Sequence, residues 1–300
     1  MKLNKVKQPK LPTAARFLLY PSVFALFVIG IFPLLFALWV STRQYQLSRA
    51  YEPHNFLGIQ NYVTVLTSPE FWVALRITFT FLIIALPLQL LMGTLIAVYI
   101  YNLRSKPLSS FIRVILVLPI AVTPTITGLL GRLIFNSEFG IINYFLSFFG
   151  VAPVQWLADQ RAAFIAIIFL DTWQWTPFAA LVLIASLMVI PPQVLEAGRL
   201  DAGSGWNLFR YMQLPFLLPG FTALLILRTA DILKMYDTVY AFSKGGPGVA
   251  TELVSLYINR IGFGKTFDIG LGSAQAILLL IICIGLSRAY IKIFYREVQV

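Results

Sequence analysis

The sequence predicts an all-α integral membrane protein with six transmembrane helices. Hydrophobic residues make up 59% of its 300 residues and charged residues only 12%, against roughly 45–50% and about 25% in soluble domains. The chain also contains uncharged stretches of roughly 20 residues, the length of helix that crosses about 30 Å of hydrocarbon. Lipid offers the backbone no hydrogen-bonding partner, so each stretch must be helical.

The spans are bounded by charged residues. The third lies between Arg113 and Arg132 and has Pro124 inside it, which predicts a kink. The fifth runs into charged residues that begin at Arg228. The first is longer than the roughly 7–15-residue core of a signal peptide, which indicates a retained span. The predicted spans cover about 17–40, 72–101, 111–134, 162–188, 213–236 and 269–292 of a transmembrane domain, 17–300, that follows a basic arm, 1–16.

The basic residues predict the orientation of the chain. If the N-terminus lies inside, most of the 23 Lys and Arg residues fall on the cytoplasmic side, as the positive-inside rule requires. Both termini are then cytoplasmic. The net charge of +11 is spread over helix ends and forms no basic stripe of the kind that binds nucleic acid, so no nucleic-acid partner is predicted.

The residue types exclude several kinds of chemistry. The one histidine, His54, falls in a predicted outer loop, so no Ser/His/Asp set is expected, and the one cysteine, Cys283, excludes a multi-cysteine metal site. It has no phosphate-binding loop of the GxxxxGK[ST] type. We therefore expect no enzyme activity, no metal and no directly bound cofactor.

The loop from 191 to 215 has a pattern of its own. Pro191 and Pro192 can end the fourth span, and a short amphipathic helix with a surface of small residues follows. Small residues let another backbone approach closely. The alternative interpretation is a solvated linker helix.

At this point the residues resemble a known family. Glu196-Ala197-Gly198, Asp201-Ala202-Gly203-Ser204 and Leu214-Pro215 resemble the EAA loop of permease subunits in binding-protein-dependent ABC importers, and in particular of the sugar and glycerol-phosphate (maltose-type) branch. The chain departs from the pattern at Gly198, where the family commonly has alanine, and in the order of Ala202-Gly203. Further segments are similar to the family at 58–62, 135–156, 173–187, 245–251 and 270–276.

The resemblance implies a fold and a set of partners. The fold is that of a type I ABC importer permease in a bacterial or archaeal inner membrane. The partners are a second, different permease, two cytoplasmic ABC ATPases that use ATP and magnesium, an extracytoplasmic solute-binding protein and the lipid bilayer. The loop would be a coupling helix that docks on an ATPase and drives alternating access for a sugar or related polar solute. Its docking residues would be Glu196, Ala197, Gly198, Asp201, Ala202 and Gly203.

Two groups of polar residues inside the spans are candidates for the solute path, because ionisable side chains at membrane depth are costly. Arg228, Asp231, Lys234 and Asp237 recur every three residues with alternating sign, beside Tyr236, and they either line an aqueous path or neutralise one another. In the fourth span, aromatic, amide and carboxylate groups suit a hydroxyl-rich ligand or form an interfacial belt. These are Asp171, Trp173, Gln174 and Trp175; Gln275 in the sixth span either faces the path or belongs to a packing motif.

Two rival functions remain at this stage. A secondary transporter driven by an ion gradient would work alone, and it would leave the short inner-loop helix without a purpose. A membrane enzyme acting on lipid carriers would need carboxylates or histidines clustered at one membrane face, whereas the 12 acidic residues here are dispersed.

Overall fold

The computed structural model describes residues 13–49, 51–103, 105–201, 205–264 and 266–294, and the described part is helical apart from turns, loops and two isolated bridges. It divides into two units. One comprises the described residues up to Val65 and Ile261–Ile277, and the other comprises Leu66–Arg260 and the described residues from Leu278 onward. The basic arm 1–16 lies mostly outside the described residues.

The helices follow one another with short connections. Their bounds are α1 Thr13–Leu26, α2 Phe32–Ser41, α3 Gln60–Thr67, α4 Pro69–Asn102, α5 Lys106–Ala121, α6 Pro124–Ile134, α7 Ile141–Ser147, α8 Gln160–Leu187, α9 Pro192–Asp201, α10 Trp206–Leu208, α11 Leu214–Leu233, α12 Asp237–Phe242, α13 Val254–Asn259 and α14 Ile269–Phe294. Single π-helical turns join α1 to α2 and α10 to α11.

Within the described residues, five helical segments are long and apolar enough to cross a membrane. They are Leu19–Ser41, Pro69–Asn102, Gln160–Leu187, Trp206–Leu233 and Ile269–Phe294. A sixth span is reached if α5 and α6 are counted together. These segments overlap all six predicted spans.

The third predicted span, 111–134, is not one continuous helix, because α5 and α6 meet at 90°. Val122 and Thr123 between them have extended backbones, with ψ of 128° and 146°. Pro124 causes this, since a proline disfavours the helical conformation of the residue before it and is itself suited to the first position of a new helix. The sequence predicts a kink here, and the structure has a full break.

The fifth span also differs from its prediction, 213–236. It begins earlier, at Trp206, and ends at Leu233, so that Tyr236 lies outside it. Asp237 begins the separate helix α12. The predicted row of charges at three-residue spacing is therefore divided: Arg228 and Asp231 lie in α11, Lys234 follows its last residue, and Asp237 lies in α12.

The second unit is built around the pair α4 and α8, which lie side by side along much of their length. Small residues make the approach possible: Ala85, Ala97, Ala166 and Ala180 are fully buried in this part of the structure. A Cβ added to Gly93 of α4 would lie 2.8 Å from the Cβ of Ala179 and 3.1 Å from the backbone nitrogen of Ala180. Without a hydrophobic driving force between helices in lipid, such close packing is what holds them together.

Two asparagines, each in a segment that resembles the family, organise irregular stretches of the chain. In the first unit, Asn61 donates hydrogen bonds to the carbonyls of Ser41 and Arg43, both at 2.9 Å. In the second unit, Asn143 donates to Val154 at 3.0 Å and accepts from the indole N–H of Trp156 at 2.8 Å. Both side chains satisfy backbone groups of irregular segments, so these segments serve the fold.

The α4–α8 contact generates a stability prediction. Gly93→Val places a branched side chain against the backbone of α8, which cannot move aside, and overpacking of this kind typically costs about 1–3 kcal/mol. We expect the free energy of unfolding in detergent to fall by that amount. Gly285→Val is the matched control, because a Cβ on Gly285 meets nothing within 4 Å in the described chain. Equal losses in the two variants would contradict the assigned packing.

Candidate functional site: a charged cavity and an exposed helix

A polar cavity of about 140 Å³ lies in the second unit, where α8, α11 and the starts of α6 and α12 meet. Its lining contains an unusual density of charge for a membrane-spanning chain. The lining residues are Pro124, Asp171, Trp175, Arg228, Asp231, Lys234, Met235, Tyr236, Asp237 and Thr238.

The floor of the cavity is an ion pair between Asp171 and Arg228. The Nη2 of Arg228 lies 2.9 Å and 3.1 Å from the two carboxylate oxygens of Asp171, and both side chains are buried, with 4% or less of their surface exposed. Gln89 of α4 completes the group, because it accepts from Arg228 Nε at 3.0 Å and donates to Asp171 at 2.6 Å. Three spans thus contribute one residue each to a closed network.

Trp175 covers the guanidinium from the side of α8. The centre of its indole ring lies 4.5 Å from Arg228 Cζ, a cation–π geometry that adds to the stability of a desolvated cation. Trp175 follows Asp171 by four residues, and side chains at that spacing share one face of a helix. The fourth span therefore presents its carboxylate and its indole to the same partner.

Gln174 secures the break in the third span. It is 1% exposed and donates a hydrogen bond of 2.6 Å to the carbonyl of Val122, the last residue before the turn. A helix end leaves carbonyls without partners inside the helix, and Gln174 satisfies one of them. This residue acts on the backbone beside the cavity and does not line the cavity itself.

The mouth of the cavity carries a second, more exposed pair. Lys234 Nζ lies 3.0 Å from Asp231, and Asp231 in turn lies 3.7 Å from Arg228. Lys234 is 73% exposed. Tyr236 stacks on Tyr240 with ring centres 5.2 Å apart. Burial, together with Tyr240 and Asp237, raises the pKa of the Tyr236 phenol, so its hydroxyl stays protonated and can both donate and accept at neutral pH.

This arrangement offers hydrogen bonds and an aromatic face, not a reaction. The cavity brings together carboxylates, cations and aromatic rings, the combination that recognises hydroxyl-rich molecules. Within the described ranges no three His, Cys, Asp or Glu side chains gather as a metal site would require.

Besides Gln174, two further predicted path residues do not line the cavity. Trp173 does not line it, and 42% of that side chain is exposed on the surface of the described chain. Gln275 belongs to the other unit, where it is 1% exposed and its side-chain oxygen has no hydrogen-bond partner among the described atoms.

Gln89 is the site residue that the sequence analysis missed. A single amide inside a long apolar span carries no charge and follows no spacing rule. The signal that could have identified it is its cost: a buried amide without a partner is unfavourable in lipid, so Gln89 indicates a polar partner on a neighbouring helix.

The predicted docking residues lie on and just after α9. Glu196 and Ala197 are exposed, whereas Gly198 is buried. Asp201 is the last residue of α9, and nothing is described of its side chain. Ala202 and Gly203 lie outside the described residues.

The ion pair generates a prediction that distinguishes its members from isolated polar residues. Arg228→Gln leaves the Asp171 carboxylate buried without its counter-charge, and breaking a buried pair in this way costs about 3–5 kcal/mol. Asp171→Asn combined with Arg228→Gln removes both charges. We expect the single variant to lower the midpoint of thermal unfolding in detergent strongly and the double variant to recover most of the loss. A double variant less stable than the single one would contradict the pairing.

Comparison with known proteins gives consistent results. Residues 89–299 match the family described as "Binding-protein-dependent transport system inner membrane component". The chain is 34% identical over 277 residues to the trehalose/maltose transport system permease protein MalF of Thermococcus litoralis, covering 92% of each chain. It is 30% identical over 280 residues to the sulfoquinovosyl glycerol transport system permease protein SmoG of Agrobacterium fabrum, covering 92% of this chain and 88% of that protein.

A solved structure supports the fold. A chain in the crystal structure of a bacterial alginate ABC transporter, in complex with an alginate pentasaccharide-bound periplasmic protein, aligns with a TM-score of 0.80 at 20% sequence identity, and the alignment covers 95% of each chain. The predicted type I importer permease fold is confirmed. The chain belongs to the family of binding-protein-dependent transport system inner membrane components, and it is a non-catalytic, membrane-embedded permease subunit of an ABC importer.

Proposed function

We propose that this permease carries a sugar or a sugar-containing polar solute from an extracytoplasmic binding protein into the cytoplasm by alternating access. Its partners are a second, different permease and two cytoplasmic ATPases, which bind and hydrolyse ATP with magnesium. The two curated relatives named above have sugars or a sugar derivative in their names. The charged cavity, with its aromatic and hydroxyl-binding groups, supports the same class of solute.

The proposal that this chain is driven by an ATPase rests on the exposure of Glu196 and Ala197 on α9. This helix directly follows the fourth span, after a connection of only a few residues. A charged residue beside a small one on an exposed face suits a contact in which another protein approaches the backbone closely. We propose that α9 docks on an ATPase, and that Asp201, Ala202 and Gly203 extend the contact.

We propose that both termini are cytoplasmic and that the chain lies in a bacterial or archaeal inner membrane. In this orientation α9 faces the cytoplasm, where ATP is available, and the cavity lies nearer the outer end of the fifth span. Arg228 precedes the end of that span at Leu233 by only five residues, roughly 8 Å at the rise of an α-helix.

The cavity is proposed as one part of the path, shared with the second permease. Its volume of about 140 Å³ is below the roughly 300 Å³ at which ligand pockets usually begin. It can therefore hold part of a solute, such as one sugar ring, while the remainder contacts the partner permease.

The docking proposal predicts the effect of reversing the charge on α9. Glu196→Lys should leave membrane insertion intact and lower solute uptake by roughly tenfold or more, since reversing a charge in a docking contact leaves the charged groups there without their partners. Uptake of radiolabelled maltose and trehalose is measured beside ATP hydrolysis in the reconstituted transporter. Glu196→Gln is the control for size, and we expect it to have the smaller effect. Normal uptake by Glu196→Lys would refute the docking assignment.

The path proposal predicts a difference between two neighbouring tryptophans. Trp175→Leu removes the ring that lines the cavity and should reduce uptake of the same sugars by roughly tenfold, about the effect of losing one stacking contact in a desolvated site. Trp173→Leu is the matched control on the same helix and should retain uptake. Both variants should assemble with the ATPases. Equal effects on uptake would contradict a path through this cavity.

A further inference from the structure

We infer that Met212 is the residue through which α9 moves the fifth span, and that position 198 is glycine in order to seat Met212. This inference rests on the proposed docking of α9 on an ATPase. It assigns a role to two residues that docking alone leaves unexplained. Met212 is thus a positioning residue, which acts on the solute path without contacting the solute.

The packing of Gly198 carries the inference. A Cβ added to Gly198 would lie 2.6 Å from Met212 Cε and 2.7 Å from Met212 Cγ, so any larger residue at position 198 would force Met212 out of its present position. Gly198 is buried, whereas Glu196 is exposed. Two residues apart on an α-helix is a rotation of about 200°, so the two lie on opposite faces. The small residue at 198 therefore serves a contact within this chain.

Met212 lies at an irregular point of the fifth span. It is the fourth residue of the π-helical turn Phe209–Gln213, between α10 and α11. Such turns are rare in helices and occur frequently at functional sites. Gln213 beside it is buried and hydrogen-bonds from Nε2 to Asn102 Oδ1 of α4 at 3.4 Å. The base of the fifth span is thereby tied to the end of α4.

Further contacts attach α9 to the same place. Val194 and Leu195 of α9, together with Phe209, pack against an apolar cluster at the ends of three spans. Members of that cluster include Ala97 and Ile100 of α4, Leu183 and Leu187 of α8, and Leu217 of α11. Since packed protein interiors have low compressibility and transmit strain, a displacement of α9 must displace the turn that holds Met212.

The fifth span connects this contact to the charged cavity. Met212 and Arg228 lie 16 positions apart, in a segment that is helical throughout, a distance of roughly 24 Å along the axis. A displacement of α9 that begins at its exposed face therefore moves Met212, which packs on the opposite face of α9. The helix of the fifth span then carries this displacement to Arg228, near its far end. The contact between Gly198 and Met212 converts docking into movement of the span.

An exchange of size between the two residues tests this inference. Gly198→Val fills the space that the Met212 side chain occupies, and Met212→Ala leaves that space empty. In the double variant the volume added at position 198 is similar to the volume removed at position 212. In a Cys283→Ser background, spin labels at Leu91 of α4 and Leu227 of α11, both exposed, report the distance between the spans. The distance is measured in the complete transporter with and without ATP, magnesium and vanadate.

We expect the nucleotide-dependent change in distance to be largely lost in each single variant and to return in the double variant, because an exchange that conserves volume is tolerated best in a packed contact. A change that persists in both single variants would overturn the inference. The same holds if the original chain shows no change, or if the double variant does not recover, since the size of Gly198 would then serve another contact.

Docking is measured separately in the same variants. Ala197→Cys is cross-linked to a cysteine on the ATPase, and we expect the cross-link in all of them. If the chain that carries only Ala197→Cys gave no cross-link, the docking proposal would be refuted and the inference with it. Presence of the cross-link together with an unaltered distance change in the single variants would refute the role of Met212 alone. Loss of the cross-link only in Gly198→Val would place Gly198 at the ATPase contact and overturn the inference.

Discussion

A guanidinium inside a membrane-spanning helix must find its counter-charge within the protein, and this constraint organises the second unit. Arg228 is 2% exposed and pairs with Asp171, while Gln89 bonds to both. Taking either charge out of water costs several kcal/mol, and only close geometry with further hydrogen bonds offsets the cost. Such a network opposes rotation or sliding of α4, α8 or α11 relative to the other two helices, so that a displacement of one is passed to its neighbours. The small residues between these helices permit close approach, and the polar network fixes the register at which they approach.

The fourth span joins the two functional parts of the chain. Asp171 and Trp175 lie in its middle, and α9 begins a few residues after its end at Leu187. From Asp171 to Leu187 is roughly 24 Å along a helix. The fifth span returns over a similar distance, from Met212 to Arg228. On the proposed function, both ends of the ion pair are therefore carried by helices whose other ends lie at α9, so a single displacement there reaches both partners of the pair.

The sequence alone predicted the spans and the helix α9, but it did not predict the contacts between helices. Charged residues bound the apolar stretches, so the bounds of the five unbroken spans could be located to within a few residues, except at the start of the fifth span. The break at Val122 was underestimated, because Pro124 predicts a kink and only the packing of α6 on α12 and the bond from Gln174 show a right-angled turn. Asp171 and Arg228 were predicted as separate candidates, because their 57-residue separation conceals a contact that depends on tertiary packing. Gln89 was missed for the same reason.

The pairing of charges in the cavity bears on what can pass it. Arg228 is balanced by Asp171, and Lys234 by Asp231, so these four residues present no net charge although they present many donors and acceptors. An anionic solute that pairs with Arg228 would have to displace Asp171, which would leave that carboxylate buried and uncompensated. A neutral hydroxyl-rich solute can instead accept and donate hydrogen bonds while both pairs persist. On the proposed function, the buried pair and the further carboxylate of Asp237, which also lines the cavity, oppose anionic solutes, and neutral sugars can bind through hydrogen bonds.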